Sequence, residues 1–274
     1  MFGRTGEPIF IGGAPRSGTT LLRMIVDSHS RLACGPEMRL IPQICELYAA
    51  AKRDLAGARG EAWALEAARL RQSFAGMILD LLEPARLRSG KARIAEKTPA
   101  NAAWFAELRE LFPRAPQIHV LRDGRDVASS LLGLDWRDGR SGELFDFVRS
   151  ARAAAAMWQR QVTLARAAFA APEARGLVFE LRYEAIVTRP LETLRPLFDF
   201  LGEAWEEGVL DFHRNPRAHA GENETSAPQV SRPLYDQSIG RWRRDLSPDE
   251  LAEVMAEAGG TLAALGYGEP AETL

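Results

Sequence analysis

The chain has 274 residues, of which 46% are hydrophobic, and a formal net charge of −2. That length and apolar content build one sizeable core, so a single domain over residues 1–274 is expected. The balanced charge excludes a general attraction to nucleic acid, and no apolar run approaches the length of a membrane span.

Taken in chain order, Pro8-Ile9-Phe10-Ile11 reads as a buried strand that enters a glycine-rich turn and then a helix over Thr20 to Ser28. Met38 to Leu55 and Glu61 to Leu82 carry apolar residues at helical spacing. Ala92 to Ala95 is a short strand, followed by a helix from Ala100 to Leu111. Ile118-His119-Val120-Leu121 is another buried strand, again entering a glycine turn and a helix-like stretch. Glu143 to Ala170 reads as one long alanine-rich helix, with Phe145, Phe147, Trp158 and Phe169 as core residues. Leu177 to Leu181 is a strand and Leu191 to Leu201 a helix; Ser247-Pro248-Asp249-Glu250 then caps and opens a last helix. Strands alternating with helices predict an α/β fold, a parallel sheet flanked by helices on both faces. Residues 213–233 break the pattern with Asn, Gly, Pro, Ser and charge, as a surface loop does, and a loop that long in a compact domain serves as a lid or binding loop.

Two turns carry the chemistry. Gly12-Gly13-Ala14-Pro15-Arg16-Ser17-Gly18-Thr19-Thr20 and Arg122-Asp123-Gly124-Arg125-Asp126-Val127-Ala128-Ser129-Ser130 each join a strand to a helix N-terminus. Free backbone N–H groups and the positive helix end suit a phosphate there. Two such turns, about a hundred residues apart, suggest a ligand with phosphate-like groups at two positions. The first matches the spacing of a P-loop, Gly13 and Gly18 with Thr20 at the hydroxyl position, but Thr19 replaces the lysine that reaches a triphosphate. The loop is therefore better suited to a shorter anion, held by backbone N–H groups and the Ser17, Thr19 and Thr20 hydroxyls.

Pro15 to Leu21 resembles the 5′-phosphosulfate loop of the sulfotransferases that use 3′-phosphoadenosine 5′-phosphosulfate (PAPS), and Arg122 to Ser130 resembles their 3′-phosphate motif. Cys34-Gly35-Pro36-Glu37-Met38-Arg39-Leu40-Ile41-Pro42, Lys97-Thr98-Pro99, Tyr183-Glu184 and the tail from Gln229 to Trp242 resemble the protein-tyrosine sulfotransferase branch. The likeness runs from about Pro8 to Tyr267. It implies a P-loop-type parallel sheet, PAPS as donor with adenosine 3′,5′-bisphosphate (PAP) as product, and no metal. It further implies donor contacts from Arg16, Ser17, Gly18, Thr19, Thr20, Arg122, Ser130, Tyr183, Ser226 and Arg241, with Arg241 in place of a family lysine. A family arginine four residues beyond Ser130 is here Leu134, and Arg137 is the candidate replacement. In the family the region of 213–233 closes over the nucleotide.

Sulfuryl transfer must position donor and acceptor in line and neutralise charge on the bridging oxygen. Arg16 and Lys97 are the cations for that role; Lys97 stands out because lysine otherwise occurs only at Lys52 and Lys91. The acceptor hydroxyl has a pKa of ~10 for a phenol and higher for an alcohol, so a general base is needed. Glu37 matches the family's catalytic glutamate, with His29 and His119 as rival bases, and Arg39 matches a residue that meets an acidic side chain beside the target. Expected partners are a hydroxyl-bearing acceptor (a peptide tyrosine, a glycan or a small molecule) and a second copy in a homodimer.

Cys34 and Cys45 make a thin disulfide framework, and Ala95 occupies the neighbourhood where Golgi relatives place the cysteine that pairs with the Cys34 position. With the first strand beginning by Ile9, there is no room for a cleaved signal peptide, and a cytoplasmic protein is expected. The arginine bias resembles that of a GC-rich bacterial genome. Two other readings are a P-loop nucleotide-dependent kinase, opposed by the absent lysine, and a nucleotide-binding module without catalysis, opposed by Glu37 and Lys97. Trp104, Trp136, Trp205 and Trp242 are assigned to core packing, with adenine stacking as the alternative.

Overall fold

A computed structural model describes residues 7–139, 141–214 and 230–268. Five short strands form one parallel sheet: β1 (Ile9–Gly12), β2 (Leu32–Cys34), β3 (Arg93–Lys97), β4 (Gln117–Leu121) and β5 (Val178–Arg182), in spatial order β2-β3-β1-β4-β5. The strand order reverses on either side of β1, and in open α/β sheets the crevice beyond the carboxyl ends at such a point receives the ligand. The register pairs Ile11 with Lys97 and Gly12 with His119.

Helices cover both faces because the strands bury side chains on both. In β1, Ile9 and Ile11 join one core with Leu22, Ile25, Leu197 and Phe198, while Phe10 joins the other with Ile44, Ile94, Phe105 and Phe112. The first layer comes from α1 (Thr19–Ser28), with α8 (Tyr183–Thr188) and α9 (Pro190–Leu201) supplying its outer members. The second comes from α2 (Leu40–Asp54), α4 (Ala67–Ser89) and α5 (Phe105–Leu111); the short α3 (Ala58–Ala62) lies between α2 and α4 in the chain. A third cluster joins α6 (Gly124–Leu131), α7 (Ala151–Ala170) and the last long helix, around the buried Trp158. After α10 (Trp242–Asp245), the closing helix α11 (Pro248–Ala264) starts with the expected proline and a complete capping box between Ser247 and Glu250.

The structure corrects several boundaries. The stretch expected as one helix from Glu143 begins as helix only at Ala151, where Ser150 caps it; before that lie a short bridge between Arg137 and Leu144 and a 3-10 turn over Asp146–Val148. Phe145 and Phe147 stack on each other at 4.9 Å and both are half-buried; Phe147 packs against the third core cluster, whereas Phe145 is in none of the three. The stretch from Glu61 divides into α3 and α4, and α4 continues past Leu82 to Ser89 with Pro84 inside it. The Ala100 helix begins as a 3-10 turn, Pro99–Trp104, since proline starts the turn without needing a donor. Strand β2 has too few residues for an alternation to show in sequence. No described helix is long and apolar enough to cross a membrane.

Candidate active site

A cavity of about 650 Å³ opens at the carboxyl edge of the sheet. Each strand delivers one segment to its wall: Arg16 follows β1, Glu37 follows β2, Thr98 follows β3, Arg122 follows β4 and Tyr183 follows β5.

The first turn is shaped by sterics. A Cβ on Gly13 would lie 2.4 Å from the Val120 carbonyl oxygen, so only glycine lets the turn press against β4. Arg16 and Gly18 both adopt left-handed φ, 69° and 89°. For arginine that conformation is strained, and alternating handedness of this kind curls backbone N–H groups inward as an anion nest. Helix α1 starts at Thr19 with no side-chain cap. The Ser17 hydroxyl is buried without a hydrogen-bond partner among the described residues. An orphaned hydroxyl beside an uncapped helix start fits a bound phosphate-like group.

The second turn supplies charge. Arg122 donates through Nη1 to the Arg16 carbonyl at 2.8 Å and through Nη2 to the Ser238 carbonyl at 2.5 Å, with its guanidinium 4.4 Å over the Tyr183 ring. Its Nε is buried without a partner among the described residues. Arg16 in turn donates through Nε to Ser130 Oγ at 2.9 Å. Burial, and then the nearby Arg122 and Arg241 charges, push the Arg16 guanidinium down to about 10. Cations crowded in this way are relieved by an anion, so the donor set fits a ligand bearing separated phosphates. Arg241 also borders the cavity and is ion-paired to Asp245 at 2.6 Å.

Between these groups lies a carboxylate–ammonium pair. Lys97 is fully buried; its Nζ donates to Glu37 Oε1 at 2.8 Å and to Thr20 Oγ1 at 3.2 Å. Glu37 keeps 17% of its side chain exposed, and its other oxygen accepts from Arg39 Nε at 3.3 Å. One ammonium thus links the carboxylate to the phosphate turn.

Residues 8–207 match the model of the sulfotransferase family. The chain belongs to the sulfotransferase family. It is similar to a protein-tyrosine sulfotransferase of Drosophila melanogaster, 27% identical over 94% of this chain and 51% of that protein. It is also similar to protein-tyrosine sulfotransferase 1 of Homo sapiens, 30% identical over 94% of this chain and 69% of that protein. The chain therefore spans about half the length of the fly relative. Among solved structures, the sulfotransferase domain of the Synechococcus PCC 7002 olefin synthase shares the fold, with a TM-score of 0.62 at 21% identity over 97% of this chain and 96% of that one.

Within this sulfotransferase fold, the cavity wall includes Arg16, Gly18, Thr19, Thr20, Glu37 and Arg39 together with Arg122, Ser130, Tyr183 and Arg241. Ser17 is buried in the turn, and Lys97 lies behind Glu37 and Thr20. Ser226 and most of the 213–233 segment fall outside the described residues; Val230 and Pro233 at its end line the cavity. The rival bases are elsewhere. His29 Nε2 meets the Ala204 carbonyl, and His119 Nδ1 meets Glu180 at 2.9 Å; both imidazoles are buried away from the cavity. Cys34 and Cys45 are unpaired and buried, and burial pushes both thiols well up, which removes them as nucleophiles. Arg137 borders the cavity with its guanidinium on Asp135 and the Gly142 carbonyl, whereas Leu134 packs into the core.

Trp136 packs against the third core cluster and also lines the cavity, while Trp242 is buried and Trp104 and Trp205 pack against the other core clusters. Sequence reasoning passed over Asp126, whose buried carboxylate accepts from the Gly240 and Trp242 N–H groups at 2.8 and 3.0 Å and fixes the segment that presents Arg241. Its spacing of four from Arg122, with which it pairs across the start of α6 at 3.8 Å, was the available signal. Glu96, in the mostly charged strand Arg93-Ile94-Ala95-Glu96-Lys97, was a second residue passed over and carried no local signal.

Proposed function

We propose that this sulfotransferase moves the sulfuryl group of PAPS to an acceptor hydroxyl, with Glu37 as general base and Lys97 and Arg16 neutralising charge on the donor side. The observation that carries this is the 2.8 Å pair between Glu37 and a buried lysine that also contacts Thr20 of the phosphate turn. A base for the acceptor and a cation for the leaving phosphate share one hydrogen bond.

The turn from Gly13 to Thr20 would hold the 5′-phosphosulfate through its N–H groups and hydroxyls, and Arg122 with Ser130 would hold the 3′-phosphate. The acceptor O–H loses its proton to a Glu37 oxygen as the acceptor oxygen bonds sulfur and the bond from sulfur to the bridging phosphate oxygen breaks. Protonating Glu37 cancels its charge, and the Lys97 ammonium then has its full charge for the departing phosphate oxygen. Arg16 adds a second cation from the phosphate turn.

The acceptor we favour is a phenol in an acidic tyrosine peptide. Arg39 reaches solvent at the cavity edge beside Glu37, where an acidic neighbour of the target would meet it, and curated relatives are named protein-tyrosine sulfotransferases. Buried free thiols suit a reducing cytoplasm, the compartment we assign. Calorimetry of PAP against ATP with and without Mg²⁺, coupled to transfer from labelled PAPS, tests the proposal. Mg²⁺-independent binding of PAP and sulfation of acidic tyrosine peptides are expected; Mg²⁺-dependent preference for ATP overturns it. Transfer confined to sugars or lipids removes the tyrosine assignment alone.

A further inference from the structure

Glu37 lies in the stretch between β2 and α2, outside regular secondary structure. A base must be held within a fraction of an ångström to work, so something else must fix this stretch. Part of the answer is directly behind it. Glu96 of β3 is 2% exposed, and its Oε1 accepts from the backbone N–H of Met38 at 3.1 Å and from the Thr98 hydroxyl at 2.6 Å. Its Oε2 accepts from Asn101 Nδ2 at 2.5 Å, and the same Asn101 amide donates to the Ile11 carbonyl at 3.1 Å. One buried carboxylate therefore ties together the residue after Glu37, the residue after Lys97 and the end of the strand that enters the phosphate turn.

Resting on the base assignment made above, we propose that Glu96 is a positioning residue that clasps the Glu37 segment against β3 and so sets the distance between base and lysine.

The clasp requires the ionised form. Both oxygens act as acceptors, so a proton on either one replaces an acceptor with a donor facing another donor, Met38 N–H or Asn101 Nδ2–H. Turning the Asn101 amide would offer its Oδ1, unpartnered among the described residues, to that proton, at the cost of the bond to Ile11. Burial pushes the Glu96 carboxyl up to about 7, against hydrogen bonds from Thr98, Asn101 and Met38 that favour the charged form. The charged and titratable groups around it are Lys97 on its own strand, Glu37 on the facing loop, Cys34 on β2 and Cys45 on α2. As the pH falls through that range, the clasp opens and turnover drops.

The test uses Glu96→Gln and Glu96→Ala in the full chain, with Glu37→Gln in parallel. Glutamine keeps an oxygen for Met38 and Thr98 and cannot titrate, so its kcat/KM should stay level between about pH 6 and 8 where the wild type rises several-fold. In Glu96→Ala, the Met38 amide should exchange with solvent at least about tenfold faster, and kcat should fall about tenfold with the KM for PAPS within about twofold. An unchanged wild-type pH profile in Glu96→Gln overturns the proposal even if the alanine variant does not fold. Unaltered Met38 exchange in a folded Glu96→Ala overturns it independently of activity. If Glu37→Gln keeps its turnover, the base assignment fails, and this inference falls with it. If Glu37→Gln is inactive while Glu96→Gln titrates like wild type, only the inference about Glu96 is lost.

Discussion

Replacing Glu37 with glutamine separates what the carboxylate does for the reaction from what it does for the fold. Its partner, Lys97, has no exposed side-chain surface, whereas Glu37 keeps 17%. Removing one partner of a buried pair costs about 3–5 kcal/mol because an uncompensated charge stays behind. Here glutamine still offers a carbonyl, and Lys97 keeps its bond to Thr20. The expected loss is therefore about 1–3 kcal/mol, the worth of a charge-assisted hydrogen bond. Lys97→Met removes the buried ammonium itself and should change stability by less than about 1 kcal/mol, since Glu37 retains Arg39 and solvent. Combining the two should restore near wild-type stability, giving a coupling of about 1–4 kcal/mol. Turnover should behave differently: Glu37→Gln should lose about 100-fold or more, and the double variant should recover none of it. Urea titration, PAP calorimetry and transfer from labelled PAPS read all three quantities. A coupling below about 0.5 kcal/mol would show that the pair is not formed in solution. Near wild-type turnover in Glu37→Gln, with loss in His29→Ala or His119→Ala, would refute the base assignment.

Gly18→Ala should weaken PAP at least about tenfold, because its Cβ would lie 2.4 Å from Tyr183 Cδ2 on top of ~1–2 kcal/mol for the left-handed backbone; unaltered calorimetry would deny that contact. Arg122→Ala with Ser130→Ala should cost about 2–4 kcal/mol of PAP affinity while the protein stays folded, and unchanged affinity would remove the second turn from the donor site. Arg39→Ala should erase the preference for acidic over neutral tyrosine peptides in an acceptor screen. For stability, the sign of the Glu96 effect is fixed by its raised pKa. Its contribution is fully present below the ordinary carboxyl value of 4.5 and is lost as pH rises through about 7. Melting curves of the wild type should therefore fall relative to Glu96→Gln between about pH 5 and pH 8, whereas parallel curves would mean that Glu96 does not titrate there.

By itself, the sequence determined everything encoded in short contiguous patterns. The run Ile9-Phe10-Ile11 specified a strand buried on both faces, and Gly13 to Thr20 specified the anion turn, because a φ of 89° and a close approach to β4 demand glycine locally. The last helix was legible from Ser247, Pro248 and Glu250, whose capping bonds span only three residues. The roles proposed for Arg122, Ser130, Glu37 and Lys97 come from resemblance, not from their own spacing. Tertiary structure alone decided which of these groups meet. Glu37 and Lys97 are sixty residues apart in the chain, and their 2.8 Å contact exists because β2 and β3 lie side by side and end at the same edge. Neither pattern nor propensity separated His119 from the base role until β4 and β5 paired and brought Glu180 to its ring. Phe145 looked like core because an alanine-rich helix continues its periodicity; the chain breaks before Ser150, whose hydroxyl caps the helix, and so the ring lines the cavity instead. Glu96 makes the same point most sharply. One carboxylate among the charges of Arg93-Ile94-Ala95-Glu96-Lys97 has no meaning in sequence; Thr98 and Asn101 are near it in the chain, but the Met38 donor lies 58 residues away and only the folded sheet brings it there.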